Sequence, residues 1–285
     1  MSISSSSAQQ ALATLGARLR ELRQDAGLTG RDLAHLAGWH SSKVSKIEHG
    51  RQTPMVSDIM TWCAHCKADD QTPELIAAMR AVEGMYIEWR RINHSGLLHT
   101  QQRLRPLWER TSQFRIYESF LIPGVIQTPD YARAVLRSLQ QRLELPDDVE
   151  ATAQDRVERQ RVLRQPERRF AILIEEGVLR SRVGGREVMA AQLGHLLTAA
   201  SLPSISLGVI PLNLDRAAWA TESFWIFDRT QVSIELVSGD LTITQAHEIA
   251  TYERRFDELN AHAVYGAQAR KLIADAIVAT ADGVE

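Results

Sequence analysis

Apolar residues recur at helical spacing along the first part of the chain. Leu12, Leu15, Leu19 and Leu22 form one stripe, with Arg18, Arg20 and Arg23 on the flanks expected to face water. Gly27 closes that helix. Thr29 then supplies a side-chain oxygen before a second, short helix, and Asp32 stands three residues on, the arrangement of a capping box. Leu33, Leu36 and Ala37 are expected on its inner face, with the small Ala34 allowing close approach. Gly38 gives the turn its backbone freedom, and Trp39 is expected to enter the core. Val44 and Ile47 define a third helix closed by Gly50. Thr53 and Pro54 predict the start of a fourth, carrying Ile59, Trp62 and Cys66 inward. Glu74 to Asn93 is the last of this series, with Leu75, Met79, Val82, Tyr86 and Trp89 along one side.

Beyond Ser112 the pattern changes. Phe114, Ile116 and Glu118 alternate as in a strand, Pro123-Gly124 marks a turn, and Thr128 with Pro129 opens a helix that runs to Leu145. Pro146 stops it, and Asp147 or Asp148 is placed to cap the next. FAILIEEGVL is a continuous apolar run expected to form a strand buried on both faces. A helix over Glu187 to Ala200 precedes three strands, SISLGVIPL, SFWIFD and QVSIELVS, the last two joined at Arg229-Thr230. Two helices, from about Thr244 and Ala267, end the chain. The strand order is not legible. The expected fold is an N-terminal all-α bundle followed by an α+β or α/β domain, divided as 1–10 disordered tail, 11–70 helical domain, 71–111 helical linker and 112–285 C-terminal domain.

Composition narrows the function. The chain has 285 residues, of which 44% are apolar, enough for a buried core in each of two domains. It has no apolar run long enough to cross a bilayer and no basic-then-apolar leader, so a soluble, cytoplasmic protein without a membrane partner is expected. The net charge of -2 excludes general coating of nucleic acid, but Leu15–Gln52 carries seven cations (Arg18, Arg20, Arg23, Arg31, Lys43, Lys46, Arg51) against four anions (Glu21, Asp25, Asp32, Glu48). On the third helix Ser41, Ser42, Lys43, Ser45 and Lys46 are left facing outward, with no aliphatic residue among them. Hydroxyls that reach base edges and ammonium groups that meet phosphates suit the major groove.

The segment from Leu15 to about Cys66, and SKVSKIEHGRQTP above all, resembles the XRE-type (lambda-repressor-like) helix-turn-helix domain. The resemblance implies that Ser41, Ser42, Ser45 and Lys46 face bases and that Lys43 and Arg51 meet phosphates. Where the family often has a phosphate-contacting glutamine this chain has Gly30, so Arg31 is expected to take over the charge, beside the capping Thr29. The phrases ESFLIPGVIQTPDYARAVL, VERQRVL, FAILIEEGVLRSRVGGREVMAAQLGHLL and ISLGVIPL resemble the C-terminal domain, of unknown function, of an actinobacterial group of such regulators. That resemblance implies an antitoxin-like pairing with a small acidic partner protein.

Catalysis is not expected. Glu175 and Glu176 are adjacent and would point to opposite faces of a strand, and the nucleotide-binding, nucleophile-elbow and zinc-protease motifs are absent. Cys63 and Cys66, in CAHC, are the two cysteines of the chain. A redox pair and half a zinc site are the chemical readings, and packing in a helix core is the plain one. The two glycines of SRVGGREV precede a helix, where an anion at the helix N-terminus is the chemical reading and a turn the plain one, and Trp219 in AAWAT is a candidate to line a small-molecule or peptide groove. No cofactor, metal or catalytic residue is expected. A helix that reads only a few base pairs implies a homodimer on an inverted-repeat double-stranded DNA operator.

Overall fold

The computed structural model describes residues 6–88 and 96–282. They fall into two compact units divided between Ile87 and Glu88. The first holds five helices, α1 (Ser6–Asp25), α2 (Gly30–Leu36), α3 (Ser41–Glu48), α4 (Val56–Cys66) and α5 (Thr72–Met85), and a short extended stretch, β1 (Tyr86–Glu88), spans the division. Leu15, Leu19 and Leu22 of α1 meet Leu33, Val44, Ile47, Ile59, Trp62, Leu75 and Met79 in one core. Trp62 is fully buried, and its indole N–H donates to the Leu19 carbonyl at 2.9 Å, so the largest ring of the core carries no unsatisfied donor. Gly16 explains the close fit of α1 on α3: a Cβ there would sit 2.4 Å from the Ile47 carbonyl oxygen.

Several sequence expectations are corrected in this unit. Helix α1 begins at Ser6, inside the stretch expected to be a disordered tail, because Ala8, Gln9 and Gln10 favour propagation of the helix that follows. Leu36 is 50% exposed, since α2 ends there and its last turn opens to solvent. Helix α4 starts at Val56 with Met55 as cap, and the Met55 N–H donates to Asp58 at 3.1 Å; Thr53 and Pro54 precede it. Arg23, expected on an exposed flank, is buried. Of the stretch 71–111, α5 packs Leu75 and Met79 into the first unit's core, while Leu107 and Trp108 pack in the second. The expected helix over Glu74 to Asn93 stops at Met85, after Gly84. Trp89, Arg90, Arg91 and the loop up to Ser95 lie outside the described residues.

The second unit contains α6 (Leu97–Arg103), α7 (Arg105–Arg110), β2 (Gln113–Glu118), α8 (Pro129–Leu143), α9 (Val149–Arg159), β3 (Arg169–Glu175), α10 (Glu176–Arg180), α11 (Arg186–Ala199), β4 (Ile205–Ile210), β5 (Phe224–Phe227), β6 (Gln231–Glu235), β7 (Gly239–Ile243), α12 (Ala246–Asn260) and α13 (Gly266–Asp282). Its six strands form a mixed sheet in the order β7-β6-β5-β2-β3-β4. Strands β2, β3 and β4 run parallel, and β5, β6 and β7 follow antiparallel. Ile116, Ile172 and Ile174 belong to a core with α11 and α13, whereas Phe224, Ile226, Val232 and Ile234 pack with Ile249, Phe256 and Leu259 of α12.

This is the expected α+β class, with local differences. FAILIEEGVL is a strand only to Glu175, after which α10 begins, because the two glutamates find separate partners: Glu175 receives Tyr117 and Arg216, and Glu176 receives Arg180 and the Leu212 N–H. Strand β7 was not foreseen. Asp148 stands at the start of α9 but its carboxylate accepts from the Leu98 N–H, and Asp147 pairs with Arg137.

Candidate nucleic-acid interface

The geometry of α3 follows from four anchors. Val44 and Ile47 are buried against α1 and α2. Arg23 of α1 donates to both oxygens of Glu48, at 2.6 and 3.0 Å, and to the Leu28 carbonyl at 2.6 Å, so the last turn of α3 is fixed to α1 and to the loop before α2. Both side chains are about nine-tenths buried. Removing one partner of such a pair strands the other charge and costs about 3–5 kcal/mol. Lys43 donates to Asp58 at 2.6 Å and its ammonium lies 4.5 Å from the Trp39 ring. Asp58 also receives the Met55 N–H, so one carboxylate joins α3 to the start of α4.

The turn between α2 and α3 is set by Gly38, at φ +67, and by the cap of each helix. Thr29 Oγ1 accepts from the Asp32 N–H at 3.2 Å while the Thr29 N–H donates to Asp32 at 2.9 Å, the reciprocal box expected from sequence. The Thr29 hydroxyl also donates to Asp32 at 2.6 Å, and that bond first, with the Thr29 N–H second, holds the Asp32 carboxyl below its ordinary range. Helix α3 is capped by His40, whose Nδ1 accepts from the Ser42 N–H at 3.2 Å and lies 2.7 Å from the Ser42 hydroxyl. At the other end His49 Nδ1 donates to the Ser45 carbonyl at 2.7 Å.

What remains outward is a short, polar, cationic face. Ser41, Ser42, Ser45 and Lys46 are exposed on the side of α3 away from Val44 and Ile47, and Arg31 and Arg51 are exposed at the start of α2 and just past α3. Eight residues span about 12 Å, close to the width of the major groove. The eight site residues expected from sequence therefore do not act alike. Thr29 serves α2 as its cap, and Lys43 is turned to Asp58 with its side chain 26% exposed, so the cationic groups left for a phosphate backbone are Arg31, Lys46 and Arg51. Sequence reasoning missed His40, Asp58 and the buried role of Arg23. The first had a signal: an acceptor nitrogen directly before SSK, where a serine or aspartate usually stands.

Cys63 and Cys66 are buried, free thiols in the same core. Burial pushes Cys66 up to about 11 and raises Cys63, which keeps both in the unreactive thiol form near neutral pH. Among the described residues no group of three metal-ligating side chains comes together.

The second unit carries a different polar arrangement. Cross-strand register places Glu235 opposite Asp240 on β6 and β7, and the same row continues through Ser223 to Glu118, which accepts from the Trp225 indole N–H at 2.7 Å. Burial first, then the Glu235 charge, pushes Asp240 up to about 7; burial does the same for Glu118. Arg156 of α9 lies within electrostatic reach of Glu235 but donates to Gln127.

A small helical bundle with a capped turn and a polar second helix, joined to a unit built on a mixed sheet, defines a helix-turn-helix DNA-binding protein with an additional α+β unit. Family comparison agrees: residues 14–75 match the helix-turn-helix domain, and residues 101–275, more than half of the chain, match a domain of unknown function (DUF5753). The chain belongs to that family. No curated protein matches it. Among solved structures, one described as TrmBL2, an archaeal chromatin protein with a novel mode of DNA binding, is similar at 13% identity and a TM-score of 0.32, covering 74% of this chain and 69% of that one. A likeness of that size carries no argument about fold or function. Among the described residues no helix is long and apolar enough to cross a membrane.

Proposed function

We propose that the protein is a sequence-specific transcriptional regulator of the XRE type, acting in the cytoplasm as a dimer on an inverted-repeat operator and controlled through its C-terminal unit by a small molecule or a partner protein. The observation that carries this reading is the outward face of α3: three serines and Lys46 exposed on a helix whose inner face is fixed by Arg23–Glu48 and Lys43–Asp58. Serine hydroxyls supply adaptable donors and acceptors to base edges, and Arg31, Lys46 and Arg51 supply charge to phosphates. Few cations mean few released counterions, so most of the affinity for an operator must come from paired half-sites. No catalytic step belongs to this reading.

Selection of genomic fragments by the full chain, beside the Ser42→Ala/Lys46→Ala double variant, tests it. An inverted repeat enriched by the wild type and not by the variant supports it; no enrichment by the wild type contradicts it. An antitoxin-like protein, holding a small acidic partner with DNA binding secondary, would keep its biological effect in the double variant.

A further inference from the structure

The end of the sheet at which the parallel strands β2, β3 and β4 finish carries a row of exposed apolar side chains. Antiparallel pairing brings the start of β5 and the β6–β7 turn to that same end. Phe120 (69% exposed) and Leu121 follow β2, Leu212 and Leu214 follow β4, Trp219 (64%) precedes β5, and Val237 (89%) sits in the β6–β7 turn. Six of the nine large apolar side chains exposed among the described residues of this unit are gathered here. Leu104, Tyr265 and Val278 are the rest.

The rim is fixed from beneath. Residues 211–223 cross from β4 to β5 over the strand ends, held by the Leu212 N–H on Glu176 at 3.0 Å and by Arg216 on Glu175 at 2.6 Å. The Ser119 N–H donates to Ser223 Oγ at 3.0 Å, joining the Phe120 loop to the segment that carries Trp219.

We infer that this rim is the contact surface between two copies of the chain. An aromatic side chain offers about 150–250 Å² and an aliphatic one somewhat less, so these exposures amount to roughly 600 Å² of apolar surface. A stable dimer needs roughly 800 Å² from each partner, with about two-thirds of a homodimer interface apolar, and the rim supplies that share. The crossing segment itself carries few free charges. Arg216 is paired with Glu175, Glu222 accepts from the Tyr252 hydroxyl at 2.8 Å, and Asp215 is the one other charged residue in the crossing segment. Two-fold contact therefore sets the apolar residues of the rim against their own copies, with Glu118, Glu235 and Asp240 flanking them at the end of β2 and in the β6–β7 hairpin. The inference deepens the proposed function, which requires two recognition helices, by naming where the copies meet.

Light scattering of the full chain without DNA tests it, alongside Val237→Lys, Trp219→Lys and, as a control on another surface, Val278→Lys. The wild type and the control should run at twice the 32.0 kDa chain mass. Val237→Lys, which lies on a turn and buries nothing, should weaken association by about tenfold or more with an unchanged circular dichroism spectrum, and Trp219→Lys should do so further. A wild-type chain that stays monomeric at about 50 µM overturns the inference, as does a dimer that both rim variants leave intact. Duplex binding measured separately keeps the two ideas apart. Rim-dependent dimers that bind no duplex sink the regulator reading alone; a duplex-binding chain whose dimer ignores the rim variants sinks the interface alone.

Discussion

Charge is handled in opposite ways in the two units. Around α3 each buried charge is matched: Arg23 with Glu48 and Lys43 with Asp58, at hydrogen-bond distance. On the sheet of the second unit Glu118 and Asp240 are largely removed from water with no cation in ion-pair contact among the described residues, and Glu235 stands directly across from Asp240. Like charges opposite each other in a ladder are destabilising, and desolvated carboxylates hold their protons. The first unit uses charge to fix a helix in place. The second keeps charge where its protonation state changes near neutral pH.

The sharpest way to break the contrast is Glu48→Ala. It leaves the Arg23 guanidinium buried without its carboxylate, and chemical denaturation should show a loss of about 3–5 kcal/mol. Glu48→Gln keeps a hydrogen-bond acceptor and should lose less. Asp58→Ala comes next, because it frees Lys43 and uncaps the Met55 N–H together; about 1–3 kcal/mol is expected, with Asp58→Asn recovering part of it. In both cases DNA affinity should fall with stability, since the position of α3 depends on these contacts.

The acidic row gives the smallest and most specific effect. Glu118 and Asp240 have folded-state values near 7, above the roughly 4 of an unfolded chain. A carboxyl raised on folding contributes stability that is fully present below about pH 4 and is lost as pH rises through about 7. Thermal melting of the wild type should therefore fall between pH 5 and pH 8, and Asp240→Asn should flatten that dependence and melt higher at pH 8. Equal slopes for the two proteins would remove the row as a titrating element.

Much of the first unit was legible because its signals are local. The Leu15, Leu19, Leu22 stripe, the Thr29–Asp32 box, Gly38 at the turn and the Val44–Ile47 pair each lie within a few residues of the structure they specify. What was lost depended on distant partners. Nothing near Arg23 announces that Glu48, 25 residues on, will draw it inward, and nothing in SSK shows that Lys43 will be held by Asp58. The same holds for the sheet. Its strands were visible as apolar runs, except for β7, whose Leu241 and Ile243 alternate with polar residues too briefly to stand out. The acidic row and the apolar rim appear only once register and strand order are known, because their members are scattered from Glu118 to Asp240.

The most direct measurement is the affinity of the full chain for its selected duplex, wild type against Ser42→Ala/Lys46→Ala, across a salt series. Both altered residues are exposed, so stability should change by less than about 0.5 kcal/mol. The account predicts a fall in affinity of about tenfold or more, relaxed sequence preference, and a salt slope smaller by about 1 for the lost phosphate or base-edge cation. An unchanged affinity and slope in a correctly folded double variant would contradict the claim that α3 reads the DNA.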